Sequence, residues 1–369
     1  MTKPIDRQLI FVIAVLIIAG ALILASASIV LSQKRFGSSF YYISHQLAYG
    51  CLIGVILMAI FSRIHYKNWR RLSLPFLVFS LFLMTFVFLP SLGLSSGGAR
   101  RWLSLGPIVF QPSEILKFAM IVYLATWLDT KREEVKTVFY GFFPFIVMMS
   151  IVGVFLIMQP DIGTLGVIVA TSAVMYFLGG GRVTQILSLG ALGLLVLFLL
   201  VQIAPYRLNR FLVFFNPAID PKGISYQINQ SFIAIGSGGF WGLGLGQGIQ
   251  KYNYLPEPMG DSIFAIAAEE FGFLGSIALI SLFLFLTYRG FTIAKFAPDA
   301  FSRLLAAGIT SGIAIQAFIN IAAISGLLPL TGIPLPFISY GSTSLVVTLA
   351  SVGVLMNISR SLGGTILKT

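Results

Sequence analysis

Leu9-Ile-Phe-Val-Ile-Ala-Val-Leu-Ile-Ile-Ala-Gly-Ala-Leu-Ile-Leu-Ala-Ser-Ala-Ser-Ile-Val-Leu31 is a run of 23 residues without a charge. As a helix rising 1.5 Å per residue it is about 34 Å long, enough to cross a hydrocarbon core of about 30 Å. Lys3 and Arg7 precede it, the polarity of a signal sequence. The run is nevertheless too long for a cleaved apolar region of about 7–15 residues, so it reads as a retained first span.

The rest of the chain repeats this pattern. Of 369 residues, 57% are hydrophobic and 10% charged, which excludes an ordinary soluble domain. Long continuous runs also exclude a β-barrel, whose strands alternate in short segments. Ten spans are expected, near 9–31, 44–62, 72–90, 114–128, 139–158, 162–178, 185–204, 261–287, 302–325 and 341–360. The fold class is therefore all-α, a polytopic integral membrane protein in which residues 1–369 form one transmembrane domain. A long outer loop, 205–260, joins spans seven and eight.

Charge orients the spans. With the N-terminus in the cytoplasm, fifteen of the 24 Lys and Arg residues lie in cytoplasmic segments and eight in outer ones, with Lys117 inside a span. That bias places both termini in the cytoplasm. The net charge of +12 flanks the spans instead of forming one patch, which argues against nucleic acid. Cys51 lies alone in an apolar run, and His45 and His65 sit near opposite ends of one span, so neither a disulfide framework nor a His-rich metal centre is expected.

The acids divide by side. Asp6, Asp129, Glu133, Glu134 and Asp299 are cytoplasmic, beside Lys or Arg, and read as solvated rim charges. The other seven lie on or toward the outer half, four of them between Glu257 and Glu270. Carboxylates there are costly unless paired or wet, which points to the outer face as the place of any chemistry. Asp261 follows Gly260 and opens an apolar helix, an N-cap position. Glu269, eight residues on, is expected about 12 Å deeper and offset by about 80°, lining the same cavity, with Glu270 about 180° away. The helix dipole favours an ionised N-cap Asp, whereas burial or neighbouring acids oppose it.

Other outer segments add candidates. Arg100-Arg101-Trp102 precedes Gln111-Pro-Ser-Glu114-Ile-Leu-Lys117, in which Glu114 and Lys117 share a helix face. This is an internal ion pair, a phosphate-and-sugar subsite, or both. Gln159-Pro-Asp161 is a tight turn in which Asp161 caps the next helix. Arg207 and Arg210, three apart, suit a diphosphate or an interfacial snorkelling pair. Ile224, Ile228, Phe232 and Ile235 share one face of an amphipathic helix expected to lie in the interface. The glycine-rich run Gly236–Gly248 suits close backbone approach to a ligand or a neighbouring helix. Gly326–Gly341 contains three prolines, which break the helix at membrane depth.

Taken together, Arg101-Trp102, Gln111–Lys117, Gln159-Pro-Asp161, Tyr206–Arg210, Gln250-Lys251, Asp261-Ser-Ile-Phe264, Glu269-Glu270 and Thr331–Gly341 resemble the SEDS family of integral-membrane peptidoglycan glycosyltransferases, over nearly the whole chain. Gln250-Lys251 and Ala317–Asn320 resemble its division (FtsW-like) branch more than its elongation (RodA-like) branch. Met259-Gly260 replace a His-Thr common in the family, and Ser342 a common Gly. The resemblance implies polymerisation of lipid II into β-1,4 glycan at the outer face of the bacterial cytoplasmic membrane during cell division, with release of undecaprenyl diphosphate. It implies Asp261 as the catalytic base, with Arg101, Trp102, Gln111, Glu114, Lys117, Asp161, Arg207, Arg210 and Glu269 around the substrate. It also implies a class B penicillin-binding protein (a transpeptidase) and other division proteins as partners. A divalent cation, Mg or Mn, bridging carboxylate and diphosphate is compatible with the step, although no dedicated metal motif is present. Broken helices and charges at membrane depth serve a lipid II flippase equally well. A non-catalytic division scaffold is the third reading.

Overall fold

The computed structural model of the protein describes residues 5–96, 99–106, 108–203 and 205–361, the side chains at 96, 203 and 205–207 excepted. α1 (Arg7–Phe36) is started by Asp6, whose carboxylate accepts from the N–H groups of Gln8 and Leu9, and is stopped by Gly37 in the left-handed region. α2 (Tyr41–His45) and α3 (Ile53–Arg63) are joined by a π-helical stretch, Gln46–Leu52, into one span. α4 (Lys67–Phe86) returns to the far end of the bundle. There β1 (Gly93–Ser96), β2 (Ala99–Leu105) and β3 (Ile108–Phe110) form an antiparallel meander, with Gly93 opposite Leu103 and Leu103 opposite Phe110. Strands this short lie below any useful periodic window, and the sequence pattern does not predict them.

α5 (Pro112–Thr130), α6 (Phe143–Met158), α7 (Ile162–Leu178) and α8 (Val183–Ile203) follow as successive passes. The expected outer loop is partly helical: it holds α9 (Pro205–Phe215) and α10 (Tyr226–Ser237). α11 (Ile263–Lys295), α12 (Ala300–Ile324) and α13 (Ser342–Ser361) complete the chain. Among the described residues eight helical segments are long and apolar enough to cross a membrane. The 17-residue α7 and the charge-bearing α5 bring the passes to the expected ten.

Burial ranks these helices. The apolar windows of α12 and α13 are 78% and 72% buried, that of α8 only 11%. α12 and α13 are thus the central posts, and α8 is a peripheral helix that touches α7 and α9. Between the two posts, residues 325–341 leave helical geometry and turn back into the bundle. The Pro334 carbonyl meets Gln316, eight residues before the end of α12, which puts the segment about 12 Å below that end. Midway along α1, a Cβ at Gly20 would collide with the Phe337 carbonyl, so only glycine lets the segment lie there.

At the opposite end, the expectation of solvated rim acids needs correction for Asp6 and Asp299. Asp6 is 7% exposed and pairs with buried Arg289 of α11 at 2.6 Å. Asp299 caps α12 in a capping box and accepts from the Tyr66 hydroxyl at 2.7 Å. Helix starts that are packed against other helices need a buried acceptor for their orphan N–H groups, which draws the carboxylates inward. Asp129 and Glu134 pair with half-exposed Arg70 and Lys131, as rim charges do.

A buried pair broken on one side costs about 3–5 kcal/mol because a lone charge is left behind. Arg289→Met is therefore expected to lower the thermal unfolding midpoint of the purified protein sharply, and Arg289→Met with Asp6→Asn to lower it less. Equal losses would mean that packing, not the unpaired charge, is responsible.

Candidate active site

The re-entrant stretch Leu330-Thr-Gly-Ile-Pro334 is the hub of the outer-face residues. Its carbonyls take side-chain donors from two helices. Leu330 O accepts from Arg210 Nη1 of α9 at 2.9 Å. Ile333 O accepts from Asn320 Nδ2 and Pro334 O from Gln316 Nε2, each at 2.9 Å or less, and both donors lie on α12. Asn320 and Gln316 are four apart and so stack on one helix face. At Gly163 of α7 a Cβ would lie 2.6 Å from the Ile333 side chain, so the start of α7 presses on the same stretch.

Asp261 stands on the other side of this stretch. A Cβ on Gly332 would lie 3.9 Å from Asp261 Oδ2. The Asp261 carbonyl accepts from Asn320 Nδ2 at 2.8 Å, Gly260 O from Ser339 Oγ at 2.7 Å, and Met259 O from the Tyr340 N–H at 2.8 Å. Backbone atoms, not the missing His-Thr side chains, therefore fasten the turn. The expected N-cap role is not found. α11 begins at Ile263 after Ser262, and the Asp261 carboxylate instead accepts from Gln227 Nε2 of α10, 3.3 Å from each oxygen. Freed from capping, the carboxyl is half-buried, and burial pushes its pKa up to about 6, aided by the charge of Glu257. The Gln227 hydrogen bond and the Arg210 guanidinium oppose the rise without cancelling it.

The remaining candidates form two groups. Glu114 and Lys117 make a buried ion pair at 2.9 Å, and Lys117 also donates to Gln316 Oε1 at 2.5 Å. Both border an internal cavity between α5, α7, α12 and α13. Gln316 thus joins this pair to the re-entrant stretch, and Asn320, one turn on, joins the stretch to Asp261. The second group ties the small sheet to the α6–α7 turn. Arg101 donates to the carbonyls of Gln159 (3.2 Å) and Pro160, and Gln111 Nε2 donates to Asp161 Oδ2 at 3.4 Å. Asp161 caps α7 through the Thr164 N–H. Trp102 lies in β2 opposite Leu94, half-buried. Arg207 belongs to α9, one turn before Arg210, but its side chain lies outside the described residues.

Glu269 does not reach the Asp261 cavity. It is 1% exposed and accepts from the backbone N–H groups of Ile249 (2.8 Å) and Gln250 (3.2 Å). The helical count from Asp261 fails because residues 261 and 262 form a turn, so the helix phase starts later. The glycine-rich run packs closely against a helix. A Cβ on Gly248 would lie 2.6 Å from Glu269 Oε2, and Gly242 sits against α11 at Gly272, where the helix is broken by a φ of 66°. Glu270 faces away from Asp261: it pairs with Lys251 at 2.6 Å and accepts from Ser26 of α1, with both charged side chains buried. The adjacent acids thus grip Gln250-Lys251 and clamp the loop that leads into Asp261.

Sequence reading does not select Gln227, Gln316 or Ser339 for the site, and it uses Asn320 only as a branch marker. Amides and hydroxyls are common on helices, and nothing in their spacing announces the carbonyls that they meet.

Residues 7–363 match the FtsW/RodA/SpoVE model, described as cell cycle protein. The chain is 41% identical over 359 residues to a protein of Geobacter sulfurreducens named probable peptidoglycan glycosyltransferase FtsW, covering 97% of this chain and 96% of that one. It is 42% identical over 359 residues to stage V sporulation protein E of Bacillus subtilis, covering 97% and 98%. Among solved structures it superposes with a TM-score of 0.80, at 26% identity over 97% of this chain and 98% of the other, on a chain from a study of how a peptidoglycan synthase complex coordinates polymerization and crosslinking. The rod shape determining protein RodA of Thermus thermophilus gives 0.71 at 24% identity, covering 97% of each chain, a likeness of fold.

The clamp makes a prediction of its own. Glu270→Gln leaves Lys251 buried and unpaired, which costs about 3–5 kcal/mol. The unfolding midpoint is expected to fall, and Lys251→Met combined with Glu270→Gln to restore part of it. A single variant as stable as the wild type would show that the loop is held by its glycines alone.

Proposed function

The chain belongs to the FtsW/RodA/SpoVE family of membrane proteins and is a peptidoglycan glycosyltransferase, and we propose that Asp261 is the base of its polymerising step. The substrate is lipid II. The acceptor's 4-hydroxyl oxygen attacks the donor's anomeric carbon as the carboxylate takes the hydroxyl proton. The new O4–C1 bond forms while the C1–O bond to the diphosphate breaks, and its electron pair leaves with undecaprenyl diphosphate. One displacement converts an α-linked donor into a β-1,4 product, so one base suffices and no covalent intermediate is needed.

The observation that carries this reading is the state of Asp261. A carboxyl with its pKa at about 6 is ionised at neutral pH, yet is a far better proton acceptor than an ordinary Asp. The carboxylate has one amide donor and lies within electrostatic reach of Arg210, a cation suited to the departing diphosphate. Arg207, one turn earlier on α9, would add to that charge. Glu114, Lys117, Arg101, Trp102, Gln111 and Asp161 act behind this centre: they shape and hold the re-entrant stretch and the neighbouring turn. Among the described residues no group of three or more His, Cys, Asp or Glu side chains is arranged to hold a metal ion. A divalent cation, Mg or Mn, would thus need diphosphate oxygens as well as Asp261.

The bias of Lys and Arg supports an orientation with the termini in the cytoplasm and Asp261 outside, where lipid II is consumed. The partner is a class B penicillin-binding protein within the division machinery. Its support is the likeness to a chain of a peptidoglycan synthase complex.

Purified protein with its transpeptidase partner, given lipid II in detergent, is expected to make glycan polymer, and Asp261→Asn to lose at least about 10²-fold of that rate. Normal polymerisation by the Asn variant would remove Asp261 as base. Lipid II crossing sealed vesicles without polymer would favour the flippase reading.

The pH profile tests the same assignment by direction. Protonation removes the base, so kcat/KM is expected to fall tenfold per unit below about pH 6. Arg210→Gln removes a charge that favours the carboxylate and should move this limb to higher pH. Glu257→Gln removes one that opposes it and should move the limb to lower pH. Shifts in the same direction, or none, would contradict the assignment.

A further inference from the structure

The apolar stripe of α10 has a destination that its pattern did not reveal. Ile224, Ile228 and Phe232 do not simply lie on a membrane surface. With Val213 and Phe214 of α9 and Leu330 of the re-entrant stretch they line a cavity of about 280 Å³. Protein interiors are close-packed, with few voids larger than a water molecule. Taking about 30 Å³ per water, this space equals roughly nine waters, and its walls are mostly apolar, with Asn209 and Arg210 as the polar side chains. A hydrocarbon chain with a polar end fits such a space.

What hydrocarbon follows from its neighbours. Arg210 also borders the cavity, with its guanidinium on the Leu330 carbonyl. The cavity and the Asp261 site share their walls. Ile228 lines the cavity and the adjacent Gln227 holds the Asp261 carboxylate; Leu330 lines it and Gly332 borders Asp261. A ligand that fits is an amphiphile with a strongly anionic head at Arg210 and a branched apolar chain directly attached to it. A prenyl diphosphate has that form.

We propose that the α9–α10 cavity seats the first isoprene units of the lipid-linked donor, so that its diphosphate is delivered to Arg210 with the anomeric carbon beside Asp261. The inference rests on the polymerase reading above and adds a hydrocarbon subsite to it. Burial of these units would supply binding energy remote from the reacting bond and fix the donor in register.

The test is photolabelling of the full-length protein in nanodiscs with an undecaprenyl diphosphate analogue carrying a diazirine on its first isoprene unit. Labelled peptides are expected from 205–215 and 224–237. Undecaprenyl diphosphate should compete, and phosphatidylglycerol and undecaprenol should not. Labelling confined to other segments, or equal competition by phosphatidylglycerol, would overturn the proposal, the second by making the cavity a general lipid site. Val213→Trp, which fills the cavity from a buried position, is expected to raise KM for lipid II about tenfold and to cut labelling in parallel, without moving the acid limb of the pH profile. An unchanged KM in a variant with wild-type unfolding would also overturn it. Labelling of Asp261→Asn keeps the two readings apart, because binding needs no base. Loss of labelling there and in the wild type sinks the subsite alone, whereas normal polymer from that variant sinks the base alone.

Discussion

Backbone that leaves helical geometry inside a membrane has no water to satisfy its carbonyls, so protein must supply donors. Residues 325–341 meet this constraint with side-chain donors from two helices, Arg210 from α9 and Gln316 and Asn320 from α12, while the segment's own Ser339 accepts from the Leu335 N–H and donates to the Gly260 carbonyl. Those donors are also the groups that fix Asp261 and its surroundings. The geometry around Asp261 is thus a by-product of satisfying a broken helix at depth. This explains why the most buried helices, α12 and α13, are the two that flank the segment.

Charges in the outer half follow the same economy. Each buried acid is matched by a donor set of its own: Lys117 for Glu114, Gln111 and the Thr164 N–H for Asp161, backbone N–H groups for Glu269, and Lys251 with Ser26 for Glu270. The Asp261 carboxylate accepts from the Gln227 amide and, at 3.5 Å, from the Ser262 hydroxyl, within electrostatic reach of Arg210.

The outer loop is a folded part of the machine. Its glycines let it lie against α11, Glu269 and Glu270 hold it there, and α10 presents Gln227 to Asp261 on one side and an apolar stripe to a cavity on the other. A polar contact to Asp261 and an apolar cavity wall thereby meet on one short helix.

Much of the fold was legible in the sequence. Runs such as Leu9–Leu31 are long enough to span a bilayer, and hydropathy and the Lys/Arg bias act locally along the chain. The ion pair of Glu114 with Lys117 could also be read, because helical spacing is a local argument. The failures came where an argument crossed a turn or reached another element. The phase of Glu269 was extrapolated through residues 261 and 262, which are not helical, and Asp6 was judged by its sequence neighbours although its partner, Arg289, lies 283 residues away. The sequence by itself determined which segments lie in the membrane and which acids are out of place there. Only the tertiary structure decided which carbonyl each amide satisfies, which acids are consumed as scaffold and how the Asp261 carboxyl titrates, because those outcomes depend on contacts between helices whose register no local pattern encodes.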